Sequence, residues 1–236
     1  MHSSFVEISA RDGGKFEAYL AVPAKPRGPV VVVLQEIFGI NPNIRAVADS
    51  LAARGFIAIA PDLFWRQQRR VSLDPASAAD REQATALMKG LDERLAVEDS
   101  LAAASHGRSI SGENGKVGVV GYCMGGKLAY LLSMEPAVDA AVSYYGVGIQ
   151  RALDIASRVR APLLLHVAEE DHLCPPEAQA AIASALGATK LAAIMSYAGA
   201  GHAFARAGGA GFIATAAARA DEASAEFLKR HLEAGG

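Results

Sequence analysis

The stretch Val117-Gly-Val-Val-Gly-Tyr-Cys-Met-Gly-Gly-Lys-Leu-Ala-Tyr-Leu-Leu-Ser133 decides the fold. Its first four residues form an apolar, strand-forming run, and Lys127 to Ser133 reads as a helix. Between them, Gly121-Tyr-Cys-Met-Gly-Gly126 matches the nucleophile-elbow pattern G-x-S-x-G, with cysteine in the serine position. The glycines have a steric role. The turn residue is held in strained backbone geometry, and side chains on its neighbours would keep strand and helix apart. The stretch alone also fits a Gly-rich turn around a small buried core cysteine. The residues on either side must decide between the two.

Upstream, Phe5 to Ser9 and Lys15 to Val22 predict a hairpin about the turn signal Asp12-Gly13-Gly14. Pro23, Pro26 and Pro29 punctuate the loop that follows. Val30-Val-Val-Val-Leu34 is a continuous β-branched run, as expected of a strand buried on both faces in a parallel sheet. Gln35-Glu-Ile-Phe-Gly39 therefore sits at that strand's carboxyl end. Residues 43–54 predict a helix closed by Gly55, and 56–60 the next strand. Residues 63–75 are irregular and hold the only tryptophan, Trp65, beside Arg66, Arg69 and Arg70. Residues 76–104 predict a long helical region broken near Gly90.

Downstream, 138–145, 162–167 and 190–197 predict strands, and 175–186 and 215–232 predict helices, the former with proline at its start. Strands alternate with helices from residue 30 onward. This predicts an α/β fold: a doubly wound, mostly parallel sheet flanked by helices, in a single domain over 1–236.

The totals agree. The 236 residues are 51% hydrophobic with a formal net charge of −2, enough for a large core and without a basic patch for nucleic acid or an anionic membrane. No run of about 18 apolar residues predicts a membrane span, and the first residues lack a secretory pattern, so a cytoplasmic protein is expected. Two cysteines make no disulfide framework.

In open α/β sheets, ligands bind at the carboxyl ends of the strands. Glu36, Cys123, Asp171 and His202 all fall there. Nucleophile, acid and histidine follow one another in the chain order of an α/β-hydrolase triad. Cys123 would attack as the thiolate, His202 would handle protons, and Asp171 would orient the histidine. The oxyanion would be held by the backbone N–H groups of Met124 and Ile37. A carboxylate at Glu36, beside Ile37, would hold the Cys123 thiol neutral at rest or take its proton when substrate arrives. The bland alternatives are helix capping for Asp171, a loop position for His202 and a structural ion pair for Glu36. His166 lies mid-strand and reads as core or as a support behind the site. Cys174 and His172 carry no assigned role.

With these residues assembled, the chain resembles the dienelactone hydrolase (carboxymethylenebutenolidase) family over nearly its whole length. The resemblance is carried by Val33-Leu-Gln-Glu-Ile-Phe-Gly39, Pro61-Asp-Leu63, Arg81-Glu-Gln-Ala84, Gly115-Lys-Val-Gly118, the elbow, Tyr144-Tyr-Gly-Val-Gly148, Asp171-His172 and Ala200-Gly-His-Ala-Phe-Ala-Arg206. It implies the α/β-hydrolase fold and hydrolysis of dienelactone to maleylacetate in chlorocatechol breakdown. It implies no cofactor and a small carboxylated lactone as substrate; no metal site is expected, and the chain is expected to act as a monomer. It assigns Cys123, Asp171 and His202 to the triad, Glu36 to contact with the resting thiol, and Arg81 and Arg206 to the substrate carboxylate. Tyr145 is a candidate pocket hydroxyl. Thr85 and Met88 stand where the family has bulky aromatics, and Ala203 where it commonly has a hydroxyl. A small-molecule carboxylesterase or thioesterase with the same triad is the alternative reading.

Overall fold

A computed structural model describes residues 1–25, 27–111 and 115–233, so the loop reading at Pro26 lies outside the described residues. Eight strands form one sheet in the order β1-β2-β4-β3-β5-β6-β7-β8. The chain divides into two compact units, Met1–Gly118 and Val119–Gly236.

In the first unit, β1 (His2–Ser9) and β2 (Lys15–Val22) are the predicted antiparallel hairpin, with Phe5 opposite Tyr19. Strand β2 also pairs antiparallel with β4 (Ile57–Pro61), and β4 runs parallel to β3 (Val30–Leu34). Every residue of β3 and β4 is buried, as their unbroken apolar sequences require. Helix α1 (Pro42–Ala53) starts where proline costs no hydrogen bond, and the Asn41 side chain accepts from the Ile44 N–H at 3.2 Å. Its buried residues, Ile44, Ala48, Leu51 and Ala52, follow helical spacing. The long helical region splits as predicted. Helix α2 (Ala78–Lys89) is capped by Gly90, and α3 (Glu93–Ser111) follows, seven residues longer than the sequence suggests. A Cβ on Gly107 would come within 2.6 Å of Val30, so the glycine brings α3 close to β3.

The irregular stretch 63–75 is tied down by its basic cluster. Trp65 stacks on Phe16, and its Nε1–H donates to Asp99 at 2.8 Å. Arg66 lies over the Trp65 ring and bridges buried Asp99 and Asp12. Arg69 donates to the Lys15 carbonyl, and Arg70 grips Glu17 with two nitrogens at 2.5 and 2.7 Å. The arginines thus pin this segment to the hairpin and to α3.

In the second unit, β5 (Val117–Tyr122) crosses from the first and leads into α4 (Met124–Leu132). Strands β6 (Ala140–Tyr144), β7 (Leu163–Ala168) and β8 (Ala192–Tyr197) pair in parallel. A 3₁₀ segment, Ile149–Arg158, lies between β6 and β7, where no element was predicted. Helices α5 (Pro176–Gly187) and α6 (Ala214–Leu232) fall where their patterns place them. Among the described residues, no helix is long and apolar enough to cross a membrane.

The Arg66–Asp99 pair should be a sensitive point. Arg66→Met would leave the Asp99 carboxylate buried with one N–H donor, costing about 3 kcal/mol. Urea denaturation of the variant against the parent chain measures this.

Candidate active site

Cys123 sits between β5 and α4 with φ 55° and ψ −115°, a sparsely populated conformation for a side-chain-bearing residue. Its neighbours hold it there. The Cys123 N–H donates to the Tyr144 carbonyl at 3.0 Å, and its own carbonyl accepts from Gly126 at 3.0 Å and Val147 at 3.1 Å. A Cβ on Gly121 would stand 1.9 Å from the Gly125 carbonyl oxygen, and one on Gly126 would stand 2.7 Å from Gly146 Cα. Both glycines are therefore required by contact. Met124 is the first residue of α4, so its N–H has no intrahelical acceptor.

Asp171 lies three residues beyond β7, with its side chain 1% exposed. Its Oδ1 accepts from the Leu173 N–H at 2.8 Å and its Oδ2 from His202 Nδ1 at 2.8 Å. The cap of α5 is Pro175, so Asp171 serves the histidine and not the helix. His202 is held in the loop after β8, and its Nε2 is buried without a conventional hydrogen bond. Burial opposes charge on this ring, but the bond from Asp171 and the proximity of Cys123 outweigh it, pushing His202 up from 6.5 to about 10. Tyr145, itself at φ 37°, sets its ring edge-on to His202 at 5.2 Å. The structure thus brings Cys123, Asp171, His202 and Tyr145 together within the second unit. Arg206 follows in the His202 loop, its N–H bonded to the Ala203 carbonyl, and Ala203 takes φ 62°.

The remaining predicted residues belong to the first unit. Glu36 is buried two residues beyond β3, and Ile37 follows it, half-buried. Arg81 is on the exposed face of α2, where Nη1 donates to the carbonyls of Pro75 and Ala76, each at 2.8 Å. Thr85 donates back to the Arg81 carbonyl at 2.8 Å. Both cysteines are free thiols. Burial first, then the carboxylates of Asp171 and Glu177, push Cys174 up to about 11. Among the described residues, no group of three His, Cys, Asp or Glu side chains is placed to hold a metal ion.

The sequence places His166 in the core or behind the site, but it does not show its partners. His166 lies between Tyr197 Oη at 2.8 Å and Ser224 Oγ at 2.9 Å, and Ser224 also meets Tyr144 Oη at 2.7 Å. Burial pushes His166 down to about 3, so the ring is neutral. Tyr144 and His166 are also the residues whose carbonyls hold the N–H groups of Cys123 and Tyr145. Ser224 lies in an Ala-rich helix 58 residues from His166, and no local pattern marks it.

The two histidines set opposite arms of a stability profile. Folded His166 refuses a proton that the unfolded chain binds below 6.5, so stability falls as pH drops from 6.5 towards 3. Folded His202 keeps a proton that the unfolded chain releases, so its contribution is full below 6.5 and lost as pH rises towards 10. The slope is about 1.4 kcal/mol per pH unit per group. Chemical denaturation across this range should flatten on the alkaline arm alone in His202→Gln.

The sequence model of the Dienelactone hydrolase family matches residues 16–232. A carboxymethylenebutenolidase of Pseudomonas putida is 41% identical over 223 residues, 94% of each chain. Carboxymethylenebutenolidase 1 of Cupriavidus pinatubonensis is 37% identical over 228 residues, 97% of each chain. Among solved structures, a candidate dienelactone hydrolase of Klebsiella pneumoniae superposes with a TM-score of 0.85 at 27% identity, covering 98% of this chain and 100% of its own.

Proposed function

The chain belongs to the dienelactone hydrolase family, and from that premise we propose that this lactone/ester hydrolase opens dienelactone to maleylacetate through an acyl-enzyme on Cys123. The observation that carries the reading is the 2.8 Å bond from His202 to buried Asp171, with Cys123 close enough to raise His202 to about 10. That arrangement supports a charged imidazolium facing a sulfur anion, the state in which a thiolate attacks a carbonyl carbon.

The steps follow from these groups. Cys123 Sγ adds to the lactone carbonyl, and the oxyanion is received by the N–H groups of Met124 and Ile37. The ring C–O bond breaks, and the enolate leaves with little need of protonation. His202 gives its proton to the leaving enolate, which becomes the ketone. Because the thioester removes the anion that raised His202, the ring yields that proton more readily. Neutral His202 then takes a proton from water as the water attacks the thioester, and thiolate departure restores the starting pair. Asp171 keeps Nδ1 protonated throughout.

Arg81 and Arg206 supply forks that match the substrate carboxylate, and Tyr145 bounds the pocket beside His202. Before substrate arrives Glu36 accepts a hydrogen bond from the neutral thiol; it takes that proton when substrate displaces it, leaving the thiolate–imidazolium pair from which attack begins, and returns it to the sulfur once product has left. The reaction serves breakdown of chlorinated catechols, with the chain acting as one catalytic domain and a monomer. A second reading, a carboxylesterase or thioesterase for other small acyl groups, is favoured by Thr85 and Met88 standing where the family has bulky aromatics and Ala203 where it commonly has a hydroxyl. Turnover of dienelactone against that of a p-nitrophenyl ester separates the two.

Intact-mass analysis during turnover should reveal an acyl adduct on the parent chain and none on Cys123→Ala, whose activity should fall at least 10³-fold, as expected of a lost nucleophile. Full activity in Cys123→Ala would overturn the mechanism. For Glu36, the pH dependence of Cys123 alkylation should shift to lower pH in Glu36→Gln. An identical profile would remove Glu36 from control of the thiol.

A further inference from the structure

We propose that the first unit carries a separate binding site for a small planar carboxylate with an apolar body, anchored by Arg45. The site is a cavity of about 330 Å³ that shares no residue with the candidate active site. Its volume is at the small end of the range for ligand pockets, the size of a one-ring acid and not of a cofactor.

The cavity is built before any ligand arrives. Its floor is Ile40 and Val71, both buried, and the Ile40 N–H donates to the Val71 carbonyl at 3.0 Å. Gly39 pairs with Ser72 alongside, and the Leu73 N–H donates to the Phe38 carbonyl at 2.9 Å. Gly39, at φ 74°, packs so tightly that a Cβ there would stand 2.0 Å from the Val71 carbonyl oxygen. These bonds stitch the segment after β3 to the segment after β4. Phe5 also lines the cavity, 48% exposed and set edge-on to Tyr19. Such an aromatic edge beside an apolar floor suits one face of a flat ligand.

Charge selects the ligand class. Four ionisable groups line the cavity, and three are already engaged. Arg70 and Glu17 hold each other through two hydrogen bonds. Asp62 is buried, and its two oxygens accept from the Phe64 N–H at 3.1 Å and the Arg70 N–H at 2.8 Å. Arg45 is half-buried on the first turns of α1; its backbone N–H donates to the Asn41 carbonyl at 3.1 Å, but its guanidinium makes no hydrogen bond or ion pair among the described residues. An unengaged guanidinium lining the same cavity as apolar Ile40 and Val71 calls for a carboxylate, which it can bind with two parallel hydrogen bonds.

The test is a titration of the full chain with benzoate, followed through the backbone amides of Phe5, Ile40 and Ser72 by ¹H–¹⁵N NMR. Saturable shifts at all three are expected. Arg45→Met should weaken the apparent affinity at least tenfold, and Arg45→Lys, which keeps the charge without the fork, should fall between. Benzyl alcohol, of similar shape but neutral, should bind at least tenfold more weakly than benzoate. Thermal midpoints of the variants matching the parent would show that the fold is intact. The proposal is overturned if the three amides do not shift saturably, if Arg45→Met binds benzoate as the parent does, or if benzyl alcohol binds as tightly. The readout is binding alone, so the result stands whether or not Cys123 forms an acyl-enzyme.

Discussion

The second unit depends on one close approach, that of the β5 end to the start of α4. The strand must give way to the helix within a single residue, and the space between Gly121 and the Gly125 carbonyl excludes even a methyl group. Cys123 takes up the whole turn at φ 55°. Residues in such conformations persist only when their surroundings over-determine them. Here the Tyr144 carbonyl holds the Cys123 N–H, while Gly126 and Val147 hold its carbonyl. The strain is local, but its support comes from the neighbouring strand β6 and the loop beyond it.

That support extends inward. The Tyr144 hydroxyl meets Ser224 on α6, and Ser224 meets His166, which meets Tyr197. This chain of partners joins the closing helix to strands β6, β7 and β8 beneath the elbow. The two histidines in this unit show how environment sets charge. Burial without an anion makes His166 neutral, while Asp171 and Cys123 reverse the same burial penalty at His202. One ring becomes a structural hydrogen-bonding hub, and the other holds a proton beside the elbow sulfur.

In the first unit, ionic pairs do the work that helix packing does elsewhere. Residues 63–75 have no regular structure, yet Arg66, Arg69 and Arg70 tether them to Asp12, Asp99, Lys15 and Glu17. The Trp65 ring between Phe16 and Arg66 adds apolar cover. The segment is anchored at both ends of its basic cluster, and the stitched loops beside it leave the Arg45 cavity open. Long charged side chains thus order a connection whose sequence predicts only irregularity.

Most of the fold was legible from periodicity. A β-branched run marked β3 and an unbroken apolar run marked β4, Gly90 marked the break between α2 and α3, and the glycines around Cys123 marked the elbow. These signals are local: each rests on the sterics or burial of a few consecutive residues, and the chain carries them at every stage of folding. The order Cys123, Asp171, His202 was legible for the same reason, because each follows a recognisable strand. Sequence alone left open whether Asp171 caps a helix or meets a histidine. The tertiary structure decided it by bringing two loops 31 residues apart to a 2.8 Å hydrogen bond. The partners of Arg66 and Arg70, the role of Ser224 and the unengaged state of Arg45 were likewise settled only by folding. A side chain's charge is written in the sequence, but its partner is set by distance, and distance between remote residues exists only once the sheet has formed.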